Sequence, residues 1–220
     1  ITLGGVAATL NTGTLTVATG VIFTLNTNTI VVTTTGDFNG TGVINGTGTF
    51  TLNAGATLFI ANASGIALAG STGAIQTAVR NFTAGASYEY DGTSTPQITG
   101  TALALSNASN LTINNSAASG IVQLSSATTI TGLLSMVNGT LDMANNDFTV
   151  GGLTGTTNLT HSTGVAGSRT LTVGSAGTSP AAYSGVISNG TSTSVQLTKT
   201  GAGTMTLSGL NSYTGKTTIS

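Results

Sequence analysis

The chain has 220 residues, only 4 % of them charged, and a formal net charge of -1. A typical soluble domain carries about 25 % charged residues, so there is no basic field here for nucleic acid and no polybasic patch for anionic lipid. No apolar run approaches the roughly 18 residues of a spanning helix, so no membrane-spanning segment is expected.

Threonine is the commonest residue, followed by 32 glycines, and the strong helix formers Glu, Lys, Arg and Gln are nearly absent. The branched Cβ of Thr suits a pleated strand, while Gly and Asn suit turns. The composition predicts many short strands joined by tight corners. Disorder is the competing reading of so simple a composition, but 39 % of the residues are apolar and Pro occurs only twice. Disordered chains are poor in aliphatic residues and rich in Pro. There is no Cys, so the fold must hold without disulfides. Ile1 begins in mid-pattern without an initiator Met, and the chain reads as a processed product or a piece of a longer one.

In chain order, polar and apolar residues alternate with period two in Thr14-Leu15-Thr16-Val17, Thr49-Phe50-Thr51-Leu52, Asn110-Leu111-Thr112-Ile113-Asn114, Thr170-Leu171-Thr172-Val173 and Thr204-Met205-Thr206-Leu207. Each would present one apolar face and one row of hydroxyls or amides. A unit of Gly, Thr, apolar, polar, apolar recurs at Gly13 to Val17, Gly48 to Leu52, Gly139 to Met143 and Gly203 to Leu207. Corners at Asn45-Gly46, Asn53-Ala54, Asn138-Gly139 and Asn189-Gly190 separate the strands. These repeats are degenerate and have no single period. An antiparallel sandwich would use the corners as hairpins, whereas a parallel β-helix would use them between strands of one coil. The β-helix is the better reading, because the strands are short and numerous and no Trp or Cys pair marks an immunoglobulin-like core. Like residues stacked on successive coils would also explain the Thr and Asn content. At about 20 to 25 residues per coil the chain makes ~9 to 11 coils. The fold class expected is all-β, a parallel β-helix or β-solenoid of degenerate repeats.

The stretch 84–100 breaks the style. It holds Tyr88, Glu89, Tyr90, Asp91 and Pro96, and it reads as a loop or seam between a solenoid segment at 1–83 and another at 101–220. Tyr88, Glu89, Tyr90 and Asp91 are the candidate contact loop.

Ionisable groups are too few for an obvious catalytic centre, and the chain is read as having no enzymatic activity, no catalytic residue and no cofactor. His161 is followed by Ser162, but no Gly-x-Ser-x-Gly elbow accompanies them; a solvent-facing or turn histidine is expected. Glycoside hydrolysis needs two facing carboxylates. Glu89 and Asp91 would share a face of a strand, and Asp142 and Asp147 straddle the turn Ala144-Asn145-Asn146. Neither pair has a supporting Arg or Lys nearby, so a carbohydrate-binding or carbohydrate-active β-helix is the alternative function. Asp142 and Asp147 are also weak candidates for an oxygen-ligated cation. Lys199, Asn211 and Tyr213 read as structural, Asn bonding backbone in a corner and Tyr capping the apolar stack with its hydroxyl outward.

The end of the chain carries a more specific pattern. Lys199-Thr200-Gly201, the alternation from Thr204 to Leu207, then Asn211, Tyr213, Thr214-Gly215 and Thr217-Thr218-Ile219 resemble the passenger-associated transport repeat of autotransporter passengers and related large surface proteins. Tyr183-Ser184-Gly185-Val186-Ile187 fits the lead-in to that repeat, which is thus placed at about 183–220. Lys216 departs from the pattern, where a small residue is commoner. The resemblance implies a right-handed β-helix, export to the extracellular face of the outer membrane of a Gram-negative-type bacterium, and a role in folding or transport of the passenger. It names no ligand, and residues 1–169 match it only in style. The function expected is a non-catalytic structural or adhesive rod: a stalk, passenger or filament segment. Its partners would be copies of itself or flanking repeats joined end to end, with surface glycans or other cells as further partners and no nucleic acid.

Overall fold

The computed structural model describes residues 1–5, 7–161, 167–190 and 194–220. Among these residues are nineteen short strands, no α-helix, and one 3-10 turn at Leu103–Leu105. Every registered strand pair is parallel. This excludes the antiparallel sandwich, and the chain is a parallel β-solenoid of about 10 turns.

Each turn passes through three ladders. The first runs from Thr2–Leu3 through Ile22–Leu25 and Ile44 to Ile75. It resumes as a separate sheet from Gln97–Ile98 through Ile121–Gln123, Thr140–Asp142 and Leu159–Thr160 to Ile187–Ser188. The second ladder joins Thr9, Thr29, Thr49 and Val79 and, further along, Phe148, Leu171, Leu197 and Thr217. The third joins Val17, Phe38, Ile60, Tyr90, Ile113 and Met136, and then passes through Gly155 and Tyr183 to Leu207.

Period-two alternation decides which side chains face inward. In Thr57–Ile60, Leu58 and Ile60 are buried and Thr57 and Phe59 are not. Registered inward residues then stack into columns, such as Val122, Leu141, Leu159 and Ile187, all fully buried. Burial of each such aliphatic side chain contributes about 1.5–3 kcal/mol. Aromatic rings link neighbouring columns: Phe38 meets Phe50 edge-on at 6.0 Å, Phe50 meets Phe82 at 6.3 Å, and Phe82 meets Tyr88 at 6.4 Å. Outward positions form polar rows, the longest being Thr129, Thr149, Thr172, Thr198 and Thr218.

Coil length varies more than the expected 20 to 25 residues. Thr9 pairs with Thr29, 20 positions on, but Thr49 pairs with Val79, 30 positions on. The excess lies in corners, where backbone packs on backbone. Gly155 has φ +115, and a Cβ there would sit 2.1 Å from the Met136 carbonyl oxygen; only glycine fits both restrictions.

Two local expectations differ from the structure. The stretch 84–100 is not a loop throughout: Ser87–Tyr90 is a strand, paired with Thr57–Ile60 on one side and with Leu111–Ile113 on the other. The interruptions lie to either side of it along the chain: the first ladder breaks between Ile75 and Gln97, and the second breaks where Leu103–Leu105 turns as a 3-10 helix. The alternation from Thr204 to Leu207 yields only an isolated bridge from Leu207 to Tyr183. Pro180, which has no N–H to donate, stands shortly before Tyr183 on the coil it would pair with.

Leu141→Ala should lower stability by about 2–5 kcal/mol, because it opens a cavity in the first-ladder column. The outward Thr149→Ala should cost under about 1 kcal/mol. Denaturant unfolding of the two variants checks the assignment of inward and outward positions.

Candidate functional site

The residues that invite a chemical reading are distributed by the same alternation. Tyr88 and Tyr90 point inward and are buried, so they are not contact residues; their rings complete the third-ladder columns above Leu111 and Ile113. The Tyr90 hydroxyl donates to the Thr99 carbonyl oxygen at 2.5 Å. Burial pushes the Tyr88 phenol up to about 12 and that of Tyr90 well above its ordinary value. Glu89 points outward and accepts from Asn114 Nδ2 at 2.7 Å. Asp91 follows the strand, with Oδ1 enclosed and without a hydrogen-bond partner among the described residues. Its carboxyl is pushed up to about 6, by burial first and then by the nearby carboxylates Glu89 and Asp37, against the opposing pull of backbone hydrogen bonds.

Asp142 and Asp147 occupy different environments. Asp142 is fully buried; its Oδ1 accepts from the Ala144 N–H at 2.9 Å and its Oδ2 from Gln123 Nε2 at 3.1 Å. Asp147 is exposed, and its Oδ1 accepts from the Thr170 N–H at 2.8 Å. Each carboxylate holds a neighbouring corner or strand. Among the described residues no group of three or more His, Cys, Asp or Glu could hold a metal ion.

His161 is buried, not solvent-facing. Leu159 and Thr160 register with Leu141 and Asp142, so the next residue falls on the inward side, beside Met143 of the preceding coil. Its Nδ1 accepts from the Asn145 N–H at 3.2 Å. Burial lowers its pKa, opposed by Asp142 and reinforced by Arg169. Arg169 reaches back to Asn145, donating from Nε to its carbonyl oxygen at 2.7 Å and from a terminal nitrogen to its Oδ1. Ser162 lies outside the described residues. Gln123, Asp142, Asn145, His161 and Arg169 thus form a polar tie across successive coils. Sequence reasoning missed it because its members are separated by whole turns of chain.

A second tie surrounds Gln97, also fully buried. Its Nε2 donates to the carbonyl oxygens of Ile60 at 2.6 Å and Asn62 at 3.2 Å, and its Oε1 accepts from Asn115 Nδ2 at 3.2 Å.

At the end of the chain, Asn211 Oδ1 accepts from the Ile187 N–H at 2.8 Å, and from the other side of that coil Asn158 Oδ1 accepts from the Val186 N–H at 3.1 Å. Asn189 Oδ1 accepts from the N–H groups of Val195 and Thr214 at 3.0 and 3.1 Å. Lys199 Nζ donates to the carbonyl oxygens of Thr200 and Gly201 at 2.6 and 2.8 Å. Tyr213 is half-buried against the core, and its hydroxyl lies 2.9 Å from Thr217 Oγ1. Glycines 185 and 209 stack in one corner: a Cβ on Gly209 would lie 2.1 Å from the Gly185 carbonyl oxygen.

The Asp91 shift sets a pH dependence. With its folded-state pKa above the ordinary carboxyl range, Asp91 holds its proton more tightly in the folded than in the unfolded chain. Its contribution to stability is therefore fully present below that range and is lost as pH rises through about 6. Asp91→Asn should raise the melting temperature at about pH 8 and leave it nearly unchanged at about pH 4. Melts at the two pH values check this; an equal shift at both would assign the effect to packing instead of charge.

Residues 197–220 match the family model of the passenger-associated-transport-repeat. No curated protein and no solved structure matches the chain. Within the matched stretch, Leu197 pairs with Thr217 and Lys199 with Ile219, so the repeat occupies one turn of the ladder. The chain is a parallel β-solenoid in which that turn carries the signature of autotransporter passenger repeats.

Proposed function

We propose that this chain is a non-catalytic rod, a structural or adhesive segment of a passenger-type protein on the bacterial cell surface. The observation that carries the reading is the third ladder, which continues from Thr14–Val17 to Leu207 with side chains in register. The match of residues 197–220 to a passenger repeat supports the surface location. A solenoid lengthens by ~4.8 Å per turn, so such a segment serves as a spacer whose reach is set by its number of turns. The polar side chains described above tie coils to one another and do not converge on a cleft, which favours a scaffold over an enzyme. Neighbouring repeats or further copies of the chain, along the rod axis, are the partners of this role, with surface glycans or other cells contacted along its sides.

A second reading, a carbohydrate-active solenoid, rests on Asp91, whose raised pKa beside Glu89 and Asp37 is the kind of asymmetry that acid–base pairs use. None of the clefts at 68–105, 117–158 or 64–125 is lined by these carboxylates.

Brief protease treatment of intact cells that express the parent protein tests the location. Peptides from this chain should appear in the supernatant before any cytosolic marker; their release only after lysis would contradict the proposal. Incubation with acidic and neutral polysaccharides should release no reducing ends. Release that disappears in Glu89→Gln would establish the second reading.

A further inference from the structure

The second ladder is missing one rung. Strand Ile75–Phe82 pairs on one side with Val43–Leu52. On the other side its latter half has no partner strand, because the next coil turns there as the 3-10 segment Leu103–Leu105. The ladder restarts only at Thr128–Asn138, which pairs with Phe148–Gly155. An open strand edge therefore lies along the side of the solenoid.

The phase of that edge follows from the hydrogen bonds. The Thr83 N–H donates to the Leu52 carbonyl oxygen at 3.0 Å. Successive residues of a parallel strand bond to alternate sides, so Asn81 and Val79 also face Val43–Leu52, and the N–H and C=O groups of Arg80 and Phe82 face the gap. No described residue donates to or accepts from those four backbone groups. They border a cleft of about 280 Å³, lined by Arg80 to Thr83 on the strand side and by Leu68, Ala102 and Leu105 opposite. Leu105 is 67 % exposed and Leu68 43 %.

The far wall is braced. Arg80 Nε donates to the Thr77 carbonyl oxygen and Nη1 to that of Ala67, each at 2.8 Å, and Nη2 bonds the Gly70 carbonyl oxygen. The Leu68 N–H donates to Thr101 Oγ1 at 3.4 Å. The excursion that carries Leu68 is held in place, and the cleft is lined by no carboxylate.

We propose that this edge binds an extended peptide segment by strand addition, in the place of the missing rung. Free N–H and C=O groups at strand spacing are complementary to the backbone of an extended chain, and exposed leucines beside them suit its alternate side chains. The segment bonds Arg80 and Phe82 through its backbone, sets an aliphatic or aromatic side chain against Leu68 and Leu105, and carries no cation, since Arg80 already supplies one.

The probe is an acetylated, amidated peptide copying Gly48 to Asn53, the stretch that already pairs with the opposite edge of the same strand. Amide hydrogen exchange of the intact protein is read with and without it. In the free protein the Arg80 and Phe82 amides should exchange much faster than Asn81; with peptide they should slow at least tenfold while Asn81 is unchanged. N-methylation of the peptide on alternate amides should abolish the effect in one phase and spare it in the other. Leu105→Glu, at an exposed position, should keep the melting temperature and lose the response. The proposal is overturned if Arg80 and Phe82 are already as protected as Asn81, if saturating peptide slows neither, or if Leu105→Glu responds like the parent. A response to oligogalacturonate and not to peptide would assign the cleft to a glycan and overturn it as well.

Discussion

Parallel registration between consecutive coils is the constraint on which the rest of the structure depends. A coil that returned to the ladder one residue out of phase would turn its apolar residues to solvent and its threonines to the core. Coil length is free to vary so long as each strand re-enters in phase. Thr9 to Thr29 and Thr49 to Val79 differ by ten residues in spacing, yet all four share one ladder, and Ile30 and Phe50, which follow Thr29 and Thr49, both face the core. Corners absorb the variation, and glycines such as Gly155 and Gly209 mark where backbones meet too closely for a side chain.

Once the coils are in phase, inward polar residues have fixed partners on the turns above and below. Buried amides and carboxylates are tolerated only when hydrogen-bonded. Gln97, Asn115 and Asp142 meet this condition through carbonyls and amides of their own corner and of adjacent coils. The few charged residues are thereby part of the scaffold. Arg169 clasps Asn145 and Arg80 clasps the 67–70 corner. Asp91, by contrast, sits in a site that penalises its charge.

The strands were legible where alternation was strong. Thr14–Val17, Thr49–Leu52 and Thr170–Val173 lie within strands Thr9–Val17, Val43–Leu52 and Arg169–Val173, because a Thr-apolar alternation has no helical equivalent. The turn that matches the passenger repeat was also legible, since its Asn, Tyr and Gly residues sit at fixed corners. Tyr88 and Tyr90 were misread because Gly92 and Pro96 nearby suggest a loop; their own spacing of two was the signal that they face inward. The inward place of His161 depends on its register with Met143, which no local pattern shows. The missing rung was invisible for a related reason: a strand edge is open or closed according to what a residue some twenty positions away does, and here Leu103–Leu105 turns instead of extending.

The central claim, that each coil lies in parallel register on the next, is tested most directly by engineered cysteine pairs in a chain that has no Cys of its own. Thr149 and Thr172 face outward on adjacent rungs, and Thr198 lies one rung further. Adjacent rungs are ~4.8 Å apart, within the reach of a disulfide, and alternate rungs are roughly twice that, beyond it. Under mild oxidation, Thr149→Cys with Thr172→Cys should form an intramolecular disulfide, and Thr149→Cys with Thr198→Cys should remain reduced. A reduced first pair, or an intramolecular bond in the second, would contradict the register and with it the solenoid described above.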